Sequence, residues 1–223
     1  MKMGSMGLVG LGALLLGAAP AMAQATPGEV SAYASHKPSG SLGTFAWYAN
    51  GQYTAGPAYL TGNAFLPGLA VNVWFNPFFS IGAWGMTGAF GGALGGVVGP
   101  FTNGDLEAKL KIAQTSGAYG IGLTADLGGE LRSIGVGTGT SPKLGGIVDF
   151  NLPSHMAMQA RLDWAPWLYV NNVQSNVLDY KLGIGWQLFH GLGVDLGLRG
   201  QTAFAPGNLL SLNGPYMGFG YLF

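Results

Sequence analysis

The sequence contains no cysteine, so neither disulfides nor thiolate metal sites contribute to its fold or chemistry. Charge is almost as scarce: Asp, Glu, Lys and Arg make up 8% of 223 residues and cancel to a formal net charge of +0, leaving no basic surface for nucleic acid. Beyond the first two dozen residues there is no uninterrupted apolar run of about 18 residues, which excludes a bundle of transmembrane helices. Disorder is excluded by what is present, twenty-seven aromatic residues and 48% hydrophobic content beside 41 glycines. A closed β-barrel remains, the other architecture that satisfies every backbone group in lipid.

The opening MKMGSMGLVGLGALLLGAAPAMA carries Lys2, an apolar run centred on Leu11 to Leu16, and Ala21-Met22-Ala23 as a small-x-small cleavage site. Residues 1–23 are therefore expected to be a signal peptide rather than a short anchor, since glycines break the run. From Gln24 onward eight basic and nine acidic residues remain, a formal charge of −1. Residues 24–41 read as a polar lead-in and residues 42–223 as the barrel.

Period-two alternation is clearest from Asn176 to Gln201. Leu178, Tyr180, Leu182, Ile184, Trp186 and Leu188 alternate with Asp179, Lys181, Gly183, Gly185 and Gln187. After a Phe189-His190-Gly191 turn, Leu192, Val194, Leu196 and Leu198 alternate with Gly193, Asp195, Gly197 and Arg199. Strands of about ten residues cross a bilayer at the usual tilt, so the apolar row is expected to face lipid and the charged row the lumen. The same pattern recurs at Leu69 to Phe75, Asp105 to Gln114, Tyr119 to Leu127, Lys143 to Phe150 and His155 to Trp164. The chain ends on Met217, Phe219, Tyr221 and Phe223 alternating with small residues.

Four short turns, at Asn76-Pro77, Thr115 to Gly117, Leu152 to Ser154 and Phe189 to Gly191, each join a recognised pair of strands. One strand before, within Leu42 to Tyr53, and one after give ten, an even number; eight results if the segment before Leu69 does not pair. The expected fold is all-β, a transmembrane antiparallel up-and-down barrel. Between the hairpins, GAFGGALGGVVGPFTNG, GELRSIGVGTGTSP, APWLYVNNVQS and AFAPGNLLSLNG read as long loops on the outer side.

The expected inward charges are Glu107, Lys109, Lys111, Asp126, Asp149, Arg161, Asp163, Asp179, Lys181, Asp195 and Arg199. Six acids against five bases suit a structural ion network, because an unpaired charge in a narrow lumen costs several kcal/mol unless water reaches it. The sharper reading is a selectivity filter lining a water path. Ten tilted strands enclose a backbone circle of roughly 20 Å, and inward glycines at 120, 122, 183, 185, 193, 197, 218 and 220 reopen part of it.

No catalytic residue, cofactor or metal site is expected. The three histidines, His36, His155 and His190, lie in the lead-in and in short turns, away from any nucleophile they could serve as base. No His/Asp/Glu cluster has ligand spacing, and GVGTGT at 135–140 lacks the helix a phosphate loop needs. Phe75, Phe150, Tyr221 and Phe223 at the turn side and Trp164 at the loop side suit interfacial girdles.

From Arg161 to Phe223 the sequence resembles the YfaZ family of outer-membrane proteins. The likeness rests on Asp163-Trp164-Ala165-Pro166, the Tyr180 to Trp186 strand, Val194-Asp195-Leu196-Gly197 with Arg199, and Asn213-Gly214-Pro215-Tyr216-Met217-Gly218. It implies a small outer-membrane barrel and supplies no catalytic residues. The alternating Phe219, Tyr221 and terminal Phe223 also resemble the signal that hands bacterial barrels to their insertion machinery.

These observations predict a bacterial outer-membrane barrel that is structural or a narrow passive conduit for small solutes, with outer-membrane lipids and the insertion machinery as partners. The alternatives are an envelope enzyme acting on lipid or peptide, which would need a rim dyad, and adhesion through the long loops.

Overall fold

The computed structural model describes residues 39–92, 97–115, 119–134, 137–170, 173–189 and 191–223. The signal peptide, the lead-in up to residue 38, His36 and His190 lie outside them. Ten antiparallel strands follow one another: β1 (Ser39–Ala55), β2 (Ala58–Asn76), β3 (Phe79–Gly92), β4 (Val97–Gln114), β5 (Ile121–Ile134), β6 (Gly137–Leu152), β7 (Met156–Val170), β8 (Val173–Phe189), β9 (Leu192–Ala205) and β10 (Asn208–Leu222). Each pairs with its sequence neighbours, and β1 closes on β10 from Ser41↔Leu222 to Ala55↔Asn208. Closure gives every strand a hydrogen-bonded neighbour on both sides.

The strands begin and end differently from the sequence-based expectation. β1 starts at Ser39, three residues inside the expected lead-in, and β2 reaches back to Ala58, so the segment before Leu69 does pair. Most of each expected long loop is strand: residues 97–104 belong to β4, 129–134 to β5, 137–142 to β6, 165–170 to β7 and 208–214 to β10. At that end Gly56-Pro57 and Pro206-Gly207 are two-residue turns with positive φ at Gly56 (56°) and Gly207 (73°). Gly56 N donates to Gly207 O at 2.9 Å, tying the two tips together. Residues 137–140 are extended, so no phosphate loop forms there.

At the other end lie the C-terminus and the expected turns at Asn76-Pro77 and Leu152 to Ser154, while those at Thr115 to Gly117 and Phe189 to Gly191 fall partly outside the described residues. Asn76 Oδ1 accepts from both Phe78 N and Phe79 N at 2.9 Å, which explains why the chain reverses at Asn-Pro. Ser154 and His155 take φ of 63° and 62°, and Gly191 takes 86°.

Strands of 14 to 19 residues, tilted by about 40°, build a wall roughly 40 Å tall, against an apolar band of about 25 Å in such barrels. The outer face divides accordingly. Toward the turn end it carries exposed Leu, Ile, Val and aromatic side chains, with Phe75, Phe150, Tyr221 and Phe223 exposed near its edge and Trp164 higher up. Further up, Asn50, Asn63, Thr87, Thr102 and Thr138 are interspersed with exposed Tyr59, Leu131, Trp167 and Phe204. No Asp, Glu, Lys or Arg among the described residues is on that outer face at either height.

One stretch of wall is thinner. The β6–β7 ladder stops at Leu144↔Trp164, and above it Pro142 and Pro166 remove two backbone donors. Among the described residues, Trp167 N donates to Ser141 Oγ at 3.2 Å across this gap.

Candidate functional site

The lumen holds the polar chemistry of the molecule. Alternation along β4 turns Asp105, Glu107, Lys109 and Lys111 inward, and the same parity turns in Asp126, Glu130 and Arg132 on β5, Lys143 and Asp149 on β6, and Arg161 and Asp163 on β7. Their centre is a cluster built on two cations. Arg161 takes Glu107 with two guanidinium nitrogens, holds Asp163 through Nε at 2.6 Å and lies 3.1 Å from Asp126. Lys143 pairs with Asp105, with Glu107 at 3.1 Å and with Asp163 at 3.6 Å, and Lys109 approaches Glu107 at 2.8 Å. Shared partners keep these buried charges from standing alone, the condition for holding them out of water.

Four further pairs extend the polar side. Lys181 meets Asp195 at 2.9 Å, with the Tyr216 hydroxyl donating to the same carboxylate at 2.9 Å. Arg132 pairs with Glu130, two residues along β5. Near the turn end Lys111 donates to Gln114 at 3.2 Å, and Gln159 donates to Asp149 at 2.9 Å.

The facing wall is apolar. Trp47, Ala49, Ala64, Leu66, Met86, Phe90, Phe101, Leu212 and Tyr216 pack as one buried cluster from β1 to β4 and β10. Trp47 is wholly buried, and its indole N–H is satisfied by Gly214 O at 3.2 Å. Phe45 meets Trp84 edge-on at 6.2 Å between centroids.

Arg199 on β9 joins the two halves. It donates to Asp179 at 2.6 Å, while its guanidinium carbon sits 4.2 Å from the Trp84 ring centre and 5.3 Å from that of Trp47. Lys143 flanks Trp84 as well, at 5.9 Å. Cation–π contacts of this kind gain strength away from water, about 2 kcal/mol or more when desolvated.

Of the eleven charges read from the sequence, nine are buried in the lumen, while Asp149 and Lys181 are half-buried. Four buried charges were missing from that set: Asp105, Glu130, Arg132 and Lys143. Glu130 and Arg132 fall in a segment that reads as a loop, yet they keep the parity of Asp126 on the same strand. Lys143 and Asp105 likewise keep the parity of Asp149 and Glu107.

The expectation that inward glycines reopen the lumen is corrected at Gly183 and Gly197. The Tyr216 hydroxyl occupies the space a Cβ would take at Gly183, the Leu182 carbonyl and Gly183 backbone of the neighbouring strand take it at Gly197, and Asp126 and Asp163 take it at Gly145. At the turn end a cavity of about 20 Å³ between Asn72, Lys111, Asp149 and Gln159 has room for about one water.

His155, the histidine among the described residues, is exposed in the β6–β7 turn. No group of three or more His, Asp or Glu side chains among these residues could hold a metal ion. Phe219, Tyr221 and Phe223 stand exposed on the outer face.

No family model matches the chain, and no curated protein is similar to it in sequence. The family resemblance of the C-terminal segment therefore stands on the quoted residues alone. Solved structures share its fold. The outer membrane protease OmpT from Escherichia coli superposes with a TM-score of 0.53 at 11% identity, covering 88% of this chain and 100% of that one. An outer membrane channel from Pseudomonas putida F1 aligns with a TM-score of 0.44 at 10% identity, over 90% of this chain and 100% of that one. The strand order and the OmpT superposition give the chain the closed ten-stranded fold of outer-membrane barrels.

Proposed function

We propose that this chain is a bacterial outer-membrane barrel of the small, non-enzymatic kind its YfaZ resemblance implies, and that its role is structural, with the lumen shut at rest. The observation that carries this reading is the continuous contact Asp179–Arg199–Trp84, which links the ionic wall to the aromatic wall. An outer face without charge among the described residues supports residence in a bilayer, since a Lys or Arg at the midplane of a barrel's lipid face costs about 2–4 kcal/mol. Exposed aromatics at its turn-side edge suit the lipid interface. Phe219, Tyr221 and Phe223 would serve as the signal read by the insertion machinery, and their replacement by Ala should lower the assembled fraction in envelope preparations.

A second reading, a narrow passive conduit, draws on the polar file from Lys111 and Asp149 at the turn end through Glu107 and Lys143 to Glu130 and Arg132. Small solutes would pass only if this side of the plug loosened. Proteoliposome swelling separates the two. A shut barrel leaves vesicles swelling in glycine or arabinose no faster than protein-free ones, and faster swelling in proportion to protein load establishes the conduit.

Adhesion through long loops loses its premise where those segments are strand. An envelope enzyme would need a base and nucleophile at the upper rim, and the described histidine lies at the opposite end.

A further inference from the structure

Above the apolar belt Gly51 of β1 faces the lumen, and the Phe90 ring fills the position its Cβ would take, so backbone and ring lie closer together than any larger residue would permit. Outside lies a depression of about 700 Å³, within the size range of small-molecule sites.

Its lining is uniform in chemistry. Cross-strand pairing aligns Asn63, Asn50 and Asn213 in one row and Thr61, Gln52 and Ser211 in the next. Gly91 ends the first row without a side chain, leaving that side open. Asn213 is held in place: its amide donates to Ser211 at 2.9 Å and its carbonyl accepts from the Tyr180 hydroxyl. The side chains of Asn50, Gln52, Thr61 and Asn63 make no hydrogen bond within the described residues. Tyr48 and Phe65, paired across β1 and β2 and 47% and 60% exposed, form an aromatic ledge on the turn side. Tyr59, 58% exposed, stands on the other.

We propose that this depression is a binding site for an uncharged saccharide. Each sugar hydroxyl both donates and accepts, and primary amides offer two donors and an acceptor on one planar group, so three amides in a row match successive hydroxyls. Aromatic faces take the apolar C–H side of a pyranose ring. A phosphorylated or carboxylated ligand is disfavoured, because no Lys or Arg of the described outer face is there to meet it. Placement just above the apolar belt puts the site at the height of glycolipid headgroups, although a soluble oligosaccharide has the same chemistry. The proposal is independent of whether the lumen conducts.

The test is calorimetric titration of the full chain in detergent with maltotetraose, cellotetraose and lacto-N-tetraose, with glucose 6-phosphate as the charged control and digalactosyldiacylglycerol in mixed micelles as the lipid-linked form. Saturable binding of at least one uncharged saccharide is expected, weakened about tenfold or more by the pair Asn50→Ala and Asn63→Ala, and likewise by Gly91→Phe, which fills the depression and removes no polar group. Heat-modifiable gel migration verifies that each variant is folded; should the Asn pair misassemble, Gln52→Leu replaces it. Binding confined to the lipid-linked form assigns the site to a membrane glycolipid, and binding of the free form as well assigns it to soluble glycan. The proposal is overturned if no uncharged saccharide binds in either form, if only the phosphate binds, or if the variants bind unchanged. Loss of self-association in the variants without any saccharide binding also overturns it, in favour of a second copy of the chain.

Discussion

The two walls of the lumen fill the same space by opposite means. On β1 to β3 and β10, Trp47, Leu66, Phe90 and Tyr216 exclude water by packing, whereas on β4 to β7 a set of carboxylates and cations excludes it by pairing. The apolar wall is modular, because removing one side chain costs its own burial and the cavity it leaves. The ionic wall is not: Arg161 touches Glu107, Asp126 and Asp163, so its loss takes the salt-bridge partner from Asp126 and leaves Glu107 and Asp163 to the lysines that they share. Cooperativity therefore resides on one side of the barrel, and Arg199 carries it to the other through Trp84.

The largest expected effect breaks the ionic wall. Arg161→Ala should cost about 3–5 kcal/mol of unfolding free energy, measured by urea titration of the vesicle-reconstituted barrel. A cost below about 1 kcal/mol would mean that water already screens the cluster. Its counterpart is Leu66→Ala, for which about 3 kcal/mol is expected. The contrast sharpens in combination with Glu107→Ala: Arg161→Ala with Glu107→Ala should depart from additivity by more than 1 kcal/mol, while Leu66→Ala with Glu107→Ala should add.

A third substitution pair compares the two heights of the outer face. Leu182→Lys on the apolar belt should destabilise by about 2–4 kcal/mol, and Thr102→Lys above it by about 1 kcal/mol or less. Equal costs would place both positions in the same solvent. The smallest effect concerns the seam: amides of residues 137–143 and 165–170 that face it should exchange with deuterium about tenfold faster than those of the continuously paired Gln52 to Ala55 and Ala58 to Thr61. Uniform protection would show that the ladder continues past Leu144.

The lower half of this barrel was legible because its alternation has high contrast. Leu182, Ile184 and Trp186 against Lys181, Gly183 and Gly185 allow one reading only, and the same holds where Leu106 and Leu110 flank Glu107 and Lys109. The upper half was not legible for a physical reason. Once the wall rises above the apolar belt its outward residues mix Thr, Ser, Asn and Pro with Tyr59, Leu131, Trp167 and Phe204, so hydropathy no longer separates the faces, and strands 14 to 19 residues long read as strands of ten with loops. Glu130, Arg132 and Lys143 were hidden by that loss of contrast, although counting by twos along β5 and β6 finds them. Trp47 and Trp84, which form half of the plug, carry no sequence sign of the direction they face. The outer polar depression was invisible for a different reason: its rows come from four strands whose register no local pattern announces.

Single-channel recording in planar bilayers puts the joint between the walls to the most direct test. The native chain should be silent at moderate voltage, and the double variant Arg199→Ala with Trp84→Ala should give repeatable conductance steps, because it removes both sides of the contact proposed to close the lumen. Steps from the native chain, or silence from a correctly folded double variant, would contradict a plug held shut by Arg199 and Trp84.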